Sequence, residues 1–355
     1  MKKFYNILSN IVSHIIKSRQ LSYEIEVVAE NLYVPWAIDI SDDGKIYFTE
    51  RSGSIRVIEN GILNPQPLIT LNSPFISQGE GGLMGISLHP NYSQNKYIYI
   101  MHSYIENNRI YNRVVRLIEN NNRASIDKII IDKIPGEQIH NGGRIKIGPD
   151  QKLYITTGDA NNPALAQDLT STAGKILRIE LDGSIPNDNP IINSPIYSFG
   201  HRNPQGLAWG NKNILYSSEH GQSAHDEINI IMPGANYGWP LIQGDEDSTE
   251  ISAQKPLIHS NNDTWAPSGI AFINQGPLIG NLLVTNLRGE QLLSISLSSN
   301  GTLINNIESL FKNKYGRLRD VIQSKDGSIY IATSNRDGRG NPNINDDKII
   351  RLILK

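Results

Sequence analysis

The chain contains no cysteine. That excludes disulfides, thiolate metal sites and a cysteine nucleophile, and it permits export without oxidative side reactions. No stretch approaches the roughly 18 consecutive apolar residues of a membrane helix, so no membrane span is expected. There is no Lys/Arg-rich run either, and 33 basic residues against 35 acidic ones leave a formal net charge of −2. Nucleic-acid binding needs a basic footprint, so no nucleic-acid partner is expected. The N-terminus, MKKFYNILSNIVSHIIKSRQ, has two lysines and an apolar-leaning stretch, but polar residues interrupt it and no A-x-A-like site follows. Residues 1–23 therefore read as an extension, either a degenerate export signal or a short amphipathic helix. An extracytoplasmic location is the expectation from the first of these, with a cytoplasmic one left open.

What is present is an ordinary globular composition, 38% hydrophobic and 19% charged over 355 residues. That length is enough for a large core. From about residue 24 to 355, short β-rich runs alternate with turn clusters. One unit recurs, a polar turn followed by a tight run of Ile, Leu, Tyr and Val. It is seen in DDGKIYFTE from Asp42, SQNKYIYIMHSY from Ser93, GPDQKLYITTGD from Gly148, NKNILYSSEHG from Asn211, GPLIGNLLVTNLRG from Gly276 and SKDGSIYIATSNRDG from Ser324. The runs recur at steps of roughly 47 to 67 residues, the length of one four-stranded blade with variable loops. Six units predict an all-β, six-bladed β-propeller forming one domain. No Gly-His…Trp-Asp signature accompanies them, which excludes a WD40 array.

Polar residues follow each run: Glu50-Arg51, His102, Gly158-Asp159, Glu219-His220, Asn286-Leu287-Arg288 and Asn335-Arg336-Asp337. We read the runs as inner strands. Loops at one end of a propeller then bring such residues together around the channel.

Several stretches add up to a resemblance: VPWAIDISDDGKIYFTER (34–51), GEGGLMGISLHPNY (79–92), IHNGGRIKIGPDQKLYITTGD (139–159), GHRNPQG (200–206), EHGQSAHDEIN (219–229), NYGWP (236–240) and GRLRD (316–320). Together they resemble the soluble quinoprotein glucose/sorbosone dehydrogenases, the PQQ-dependent aldose sugar dehydrogenases. The resemblance runs from about residue 26 to the end. It implies oxidation of the C1 hydroxyl of aldose sugars to lactones, with PQQ and Ca²⁺ as cofactors, an external electron acceptor, and a monomer or homodimer.

On its own, His140 reads as a turn histidine. The resemblance makes it the general base that takes the anomeric hydroxyl proton while hydride leaves C1. Glucose-oxidising relatives carry Asp just before this position, and this chain has Ile139. Orientation of the imidazole must come from elsewhere, or its basicity differs. Arg144, in the same turn, reads equally as a plain surface charge. By resemblance Arg202 contacts the reactive quinone oxygen and Asn203 the cofactor.

PQQ carries three carboxylates, which suit bidentate arginines. Arg288, Arg317 and Arg319 are the candidates, the last two on one side of a strand start. The resemblance assigns Ca²⁺ to the backbone carbonyls of Gly221 and Gln222, and a second Ca²⁺ to Asp226, Glu227 and Tyr237. Oxygen donors of both kinds suit this ion. Glu80 falls where relatives contact substrate, and Trp265 is the best sugar-stacking candidate among the tryptophans. Two other readings stay open: a non-catalytic propeller that only binds, and a Ca²⁺-dependent lactone hydrolase, which needs carboxylates ringing the axis.

Overall fold

A computed structural model describes residues 22–354. The expected N-terminal extension lies, up to residue 21, outside the described residues. The first strand, β1 (Tyr23–Ala29), belongs to the last blade and is taken up below.

The first blade holds β2 (Pro35–Ile40), β3 (Ile46–Glu50), β4 (Ser54–Glu59) and β5 (Ile62–Leu63), with β6 (Ile69–Thr70) also paired to β4. The second is β7 (Leu83–Leu88), β8 (Tyr97–Glu106), β9 (Arg109–Asn120) and β10 (Arg123–Pro135). The third is β11 (Ile145–Ile147), β12 (Leu153–Thr157), β13 (Lys175–Ile179) and β14 (Ile196–Phe199). The fourth is β15 (Pro204–Trp209), β16 (Leu215–Glu219), β17 (Glu227–Ile231) and β18 (Ile258–His259). The fifth is β19 (Pro267–Phe272), β20 (Asn281–Asn286), β21 (Gln291–Leu297) and β22 (Ile304–Leu310). The sixth joins β23 (Leu318–Gln323), β24 (Ile329–Thr333) and β25 (Ile349–Leu354) to β1, which pairs antiparallel with β25 as the outermost strand. The six-bladed propeller is thus closed by its own N-terminal strand.

The first strand of each blade packs beside the first strand of the next, β2 to β7, β11, β15, β19, β23 and back to β2. These six line the axis. The recurring runs seen in the sequence are therefore the second strands, one layer further out, and not the inner ones. The reason is burial. A second strand is covered by neighbouring blades on both faces, so β3 and β12 are buried at every position and read as continuous apolar runs. The outermost β22 is largely exposed and gives no such signal. The functional consequence survives the correction: in an antiparallel blade the end of the second strand lies beside the start of the first.

The lower channel is filled. Arg144 is 1% exposed, so it is not a surface charge. Its Nη1 lies 3.0 Å from Asp320 Oδ2, its Nε donates to the Gln205 carbonyl at 2.9 Å, and its guanidinium lies 4.5 Å from the Trp36 ring centre. Asp320 Oδ2 also accepts the Ile38 N–H at 2.8 Å. A buried charge needs a partner of this kind, and the network closes the channel below the site.

Candidate active site

Above that floor a cavity of about 620 Å³ opens at the end where second strands finish and first strands begin. Of the expected residues it gathers His140, Arg202, Arg288, Arg317, Arg319, Glu80, Gly221, Gln222 and Asp226 around one space. Asn203, Trp265, Glu227 and Tyr237 do not line it.

His140 is held at three points. Its φ of 57° is left-handed, a conformation that costs a side-chain-bearing residue energy unless its surroundings fix it. Its N–H donates to Glu80 Oε2 at 3.0 Å and its carbonyl accepts the Ala160 N–H at 3.1 Å. Its Nδ1 lies 2.8 Å from Asp159 Oδ1. Neighbouring glycines make room: a Cβ on Gly158 would meet the His140 carbonyl oxygen at 1.9 Å. Asp159 is fully buried, and its other oxygen accepts the Trp239 indole N–H at 2.8 Å. A carboxylate on Nδ1 fixes the tautomer and leaves Nε2 with its lone pair. The orienting acid missing at Ile139 is supplied by Asp159, 19 residues after His140.

Six arginines line the cavity: Arg51, Arg202, Arg288, Arg317, Arg319 and Arg339. They face three carboxylates, Glu80, Asp226 and Asp337. Arg317 grips Asp337 Oδ2 through Nε at 2.9 Å and Nη2 at 2.8 Å. Burial resists ionisation of Asp337, but Arg317 and Arg319 outweigh it and hold the carboxyl below its ordinary range. Arg319 donates to Gln205 Oε1 at 2.8 Å and lies 3.8 Å from Asp337. Burial weakens the cationic forms of both Arg202 and Arg319. Arg202 Nη1 reaches only the His220 carbonyl, at 3.3 Å, while its N–H donates to Glu219. Arg288 is exposed at the mouth. Four buried nitrogens beside the cavity, Arg202 Nε, Arg319 Nε, Asn203 Nδ2 and His220 Nε2, have no partner among the described residues. Unpaired cations and donors at such density suit a ligand rich in carboxylates and carbonyls.

The remaining expected residues stand nearby in other roles. Asn203 Oδ1 accepts the Gly142 N–H at 3.0 Å and ties the His140 turn to the Arg202 loop. Trp265 packs its ring on the core between the fourth and fifth blades, although its neighbours Thr264 and Ala266 line the cavity. Asp226 is spent on the main chain of two loops, accepting N–H groups from Gly221 in its own at 3.0 Å and from Trp265 at 2.6 Å and Ala266 at 2.8 Å in the loop before β19. Tyr237 Oη donates to the Ile230 carbonyl at 2.6 Å. Glu227 lies behind the cavity, where burial and the nearby Glu219 push its carboxyl up to about 8. Asp226, Glu227 and Tyr237 thus turn to separate partners, and no group of three or more His, Asp or Glu residues is arranged for a metal among the described residues. Gly221 and Gln222 do border the cavity, and Gly221 is required there: a Cβ would meet the Ala224 carbonyl at 1.9 Å.

Sequence reasoning did not single out Asp159, Asp337, Arg51 or His220 as functional, although each stands among the polar residues that close a second strand. Trp239 and Arg339 carried no such signal.

Fold and site together define a six-bladed β-propeller with a cationic cavity and an oriented histidine at one end of its channel. The family model described as Glucose / Sorbosone dehydrogenase matches residues 32–351, and the chain belongs to that family. It is 30% identical over 342 residues to aldose sugar dehydrogenase YliI of Escherichia coli, covering 88% of this chain and 91% of that one. It is 34% identical to quinoprotein glucose dehydrogenase B of Acinetobacter calcoaceticus over 67% of this chain and 56% of that one. The PQQ-bound aldose sugar dehydrogenase of Streptomyces coelicolor superposes with a TM-score of 0.86 at 34% identity, over 94% of this chain and 99% of that one. The chain is accordingly a PQQ-dependent oxidoreductase of the aldose sugar dehydrogenase type. No helix among the described residues is long and apolar enough to cross a membrane.

Proposed function

We propose that the cavity oxidises the C1 hydroxyl of aldoses to lactones, with His140 as general base. The observation that carries this reading is the His140–Asp159 pair, aimed into a cavity whose arginines outnumber its carboxylates. Arg288, Arg317 and Arg319 would hold the PQQ carboxylates, and Arg202 would supply a cation for its reactive carbonyl. The backbone carbonyls of Gly221 and Gln222 would hold a Ca²⁺, whose preference for oxygen donors they match. When bound, the cofactor supplies the two-electron acceptor for the hydride leaving C1. His140 Nε2 takes the hydroxyl proton, and Asp159 stabilises the imidazolium that results. An external acceptor would take up the electrons.

The excess of arginine weighs against a lactone hydrolase, which needs carboxylates around the axis. The test is to add PQQ and Ca²⁺ to the apo-protein and follow dye reduction with a panel of aldoses. Dye reduction that depends on both additions supports the reading. Tight PQQ binding with no oxidation of any aldose overturns it.

A further inference from the structure

Arg339 has no part in that scheme, yet it spans the cavity mouth. It sits in the loop after β24, where its own N–H donates to Asp337 Oδ1 at 2.9 Å. Its Nη1 crosses to Glu80 Oε1 at 2.7 Å, joining the sixth blade to the loop before β7 over a separation of 259 residues. Glu80 is committed on its other side. Its Oε2 accepts the His140 N–H, and its own N–H donates to the Gln138 carbonyl at 2.7 Å. Gly79 permits that approach, since a Cβ there would meet the Gln138 carbonyl oxygen at 2.2 Å. Both oxygens of Glu80 are therefore occupied by protein donors.

We infer that Arg339 is a positioning residue, clamping Glu80 so that the carboxylate holds the His140 main chain in its left-handed turn and the imidazole at the mouth. The inference rests on the reading of His140 as base, and it changes the expected role of Glu80 from substrate contact to tether. The physical argument is one of restraint. A carboxylate with one oxygen free rotates and gives up its acceptor geometry. A second charge-assisted bond removes that freedom. Burial resists ionisation of Glu80, but Arg339 and the His140 N–H, with His220 nearby, outweigh it and hold its carboxyl below the ordinary value. At 58% side-chain exposure Arg339 packs little against the fold, so its loss does not threaten folding.

The test combines kinetics with amide exchange. Arg339→Ala should lower kcat by about tenfold, since small misplacements of a reacting group cost rates of this order. KM and PQQ affinity should change little. Arg339→Lys should restore part of the rate. Once Glu80→Gln has broken the charge pair, Arg339→Ala should add nothing further. Exchange of the His140 amide in the apo-protein should quicken in Arg339→Ala, a readout independent of turnover. If Arg339 touches the sugar directly, its removal raises KM equally in both backgrounds, and the inference falls. It falls also if the His140 amide exchanges at the wild-type rate. Should the wild-type protein oxidise no aldose, the base reading fails, and the amide measurement still decides whether the clamp exists.

Discussion

His140 Nδ1 and Asp159 Oδ1 stand 2.8 Å apart, and the remaining Asp159 oxygen is held by the Trp239 indole at 2.8 Å. Both donors need a carboxylate. An amide in its place accepts from only one of them and turns its NH₂ toward the other. Asp159→Asn should therefore favour the wrong imidazole tautomer and lower kcat by about 10²–10⁴-fold. PQQ affinity should stay near wild type, because the arginines are untouched. Trp239→Phe removes one support and should cost about tenfold or less. Steady-state kinetics with a separate PQQ titration check both, and a near-normal kcat in Asp159→Asn refutes the pairing's role.

The arginines separate by their surroundings. Arg288 is exposed and holds no carboxylate among the described residues, whereas Arg317 grips the buried Asp337. Arg288→Ala should weaken PQQ binding by about one to two decades with an unchanged melting temperature, the effect of losing one charge-assisted pair. Arg317→Ala should weaken binding similarly and also lower the melting temperature, because Asp337 is left buried with less compensation. Raised salt should narrow the Arg288 effect. Titration curves like the wild type's for both variants would remove these residues from the cofactor site.

The fold was legible because second strands are buried on two faces and carry their own apolar signature. The inner strands were not, since they mix buried polar network residues such as Gln205 and Asp320 with apolar ones. The site was legible where chemistry and chain coincide, as in Arg317 and Arg319. It was illegible where the partner is distant. Nothing local to Ile139 announces Asp159, and nothing near Glu80 announces Arg339. Trp265 misled for a related reason: its loop borders the cavity, but the ring itself packs into the neighbouring blades.

For Ca²⁺ the donors are expected to be backbone, so side-chain changes should sort in an unusual way. Chelation should abolish activity and lower the melting temperature, and Ca²⁺ should restore both better than Mg²⁺. Gln222→Ala should respond like wild type, because its carbonyl remains. Gly221→Ala should not respond, because its Cβ would meet the Ala224 carbonyl at 1.9 Å and must displace the loop. Full activity after exhaustive chelation would eliminate the ion.

His102 gives the acid limit of stability. It is 1% exposed in the middle of β8, with Nδ1 3.0 Å from the Ser103 carbonyl, while Arg113 Nε donates to its Nε2 at 3.1 Å. That pattern requires the neutral ring, and a proton on Nε2 would face the Arg113 donor. Burial pushes the His102 pKa down to about 4. The unfolded chain, with an ordinary histidine pKa near 6.5, therefore binds more protons between those two values. Stability contributed by the neutral ring is present above about pH 6.5 and is lost as pH falls toward 4, by up to about 3 kcal/mol. His102→Gln keeps a polar side chain that does not titrate. It should cost some stability at pH 7 and flatten the decline between pH 6.5 and 4. Urea unfolding at pH 7 and pH 4.5 measures the difference, and equal slopes for the variant and the wild type would assign the acid limit to other groups.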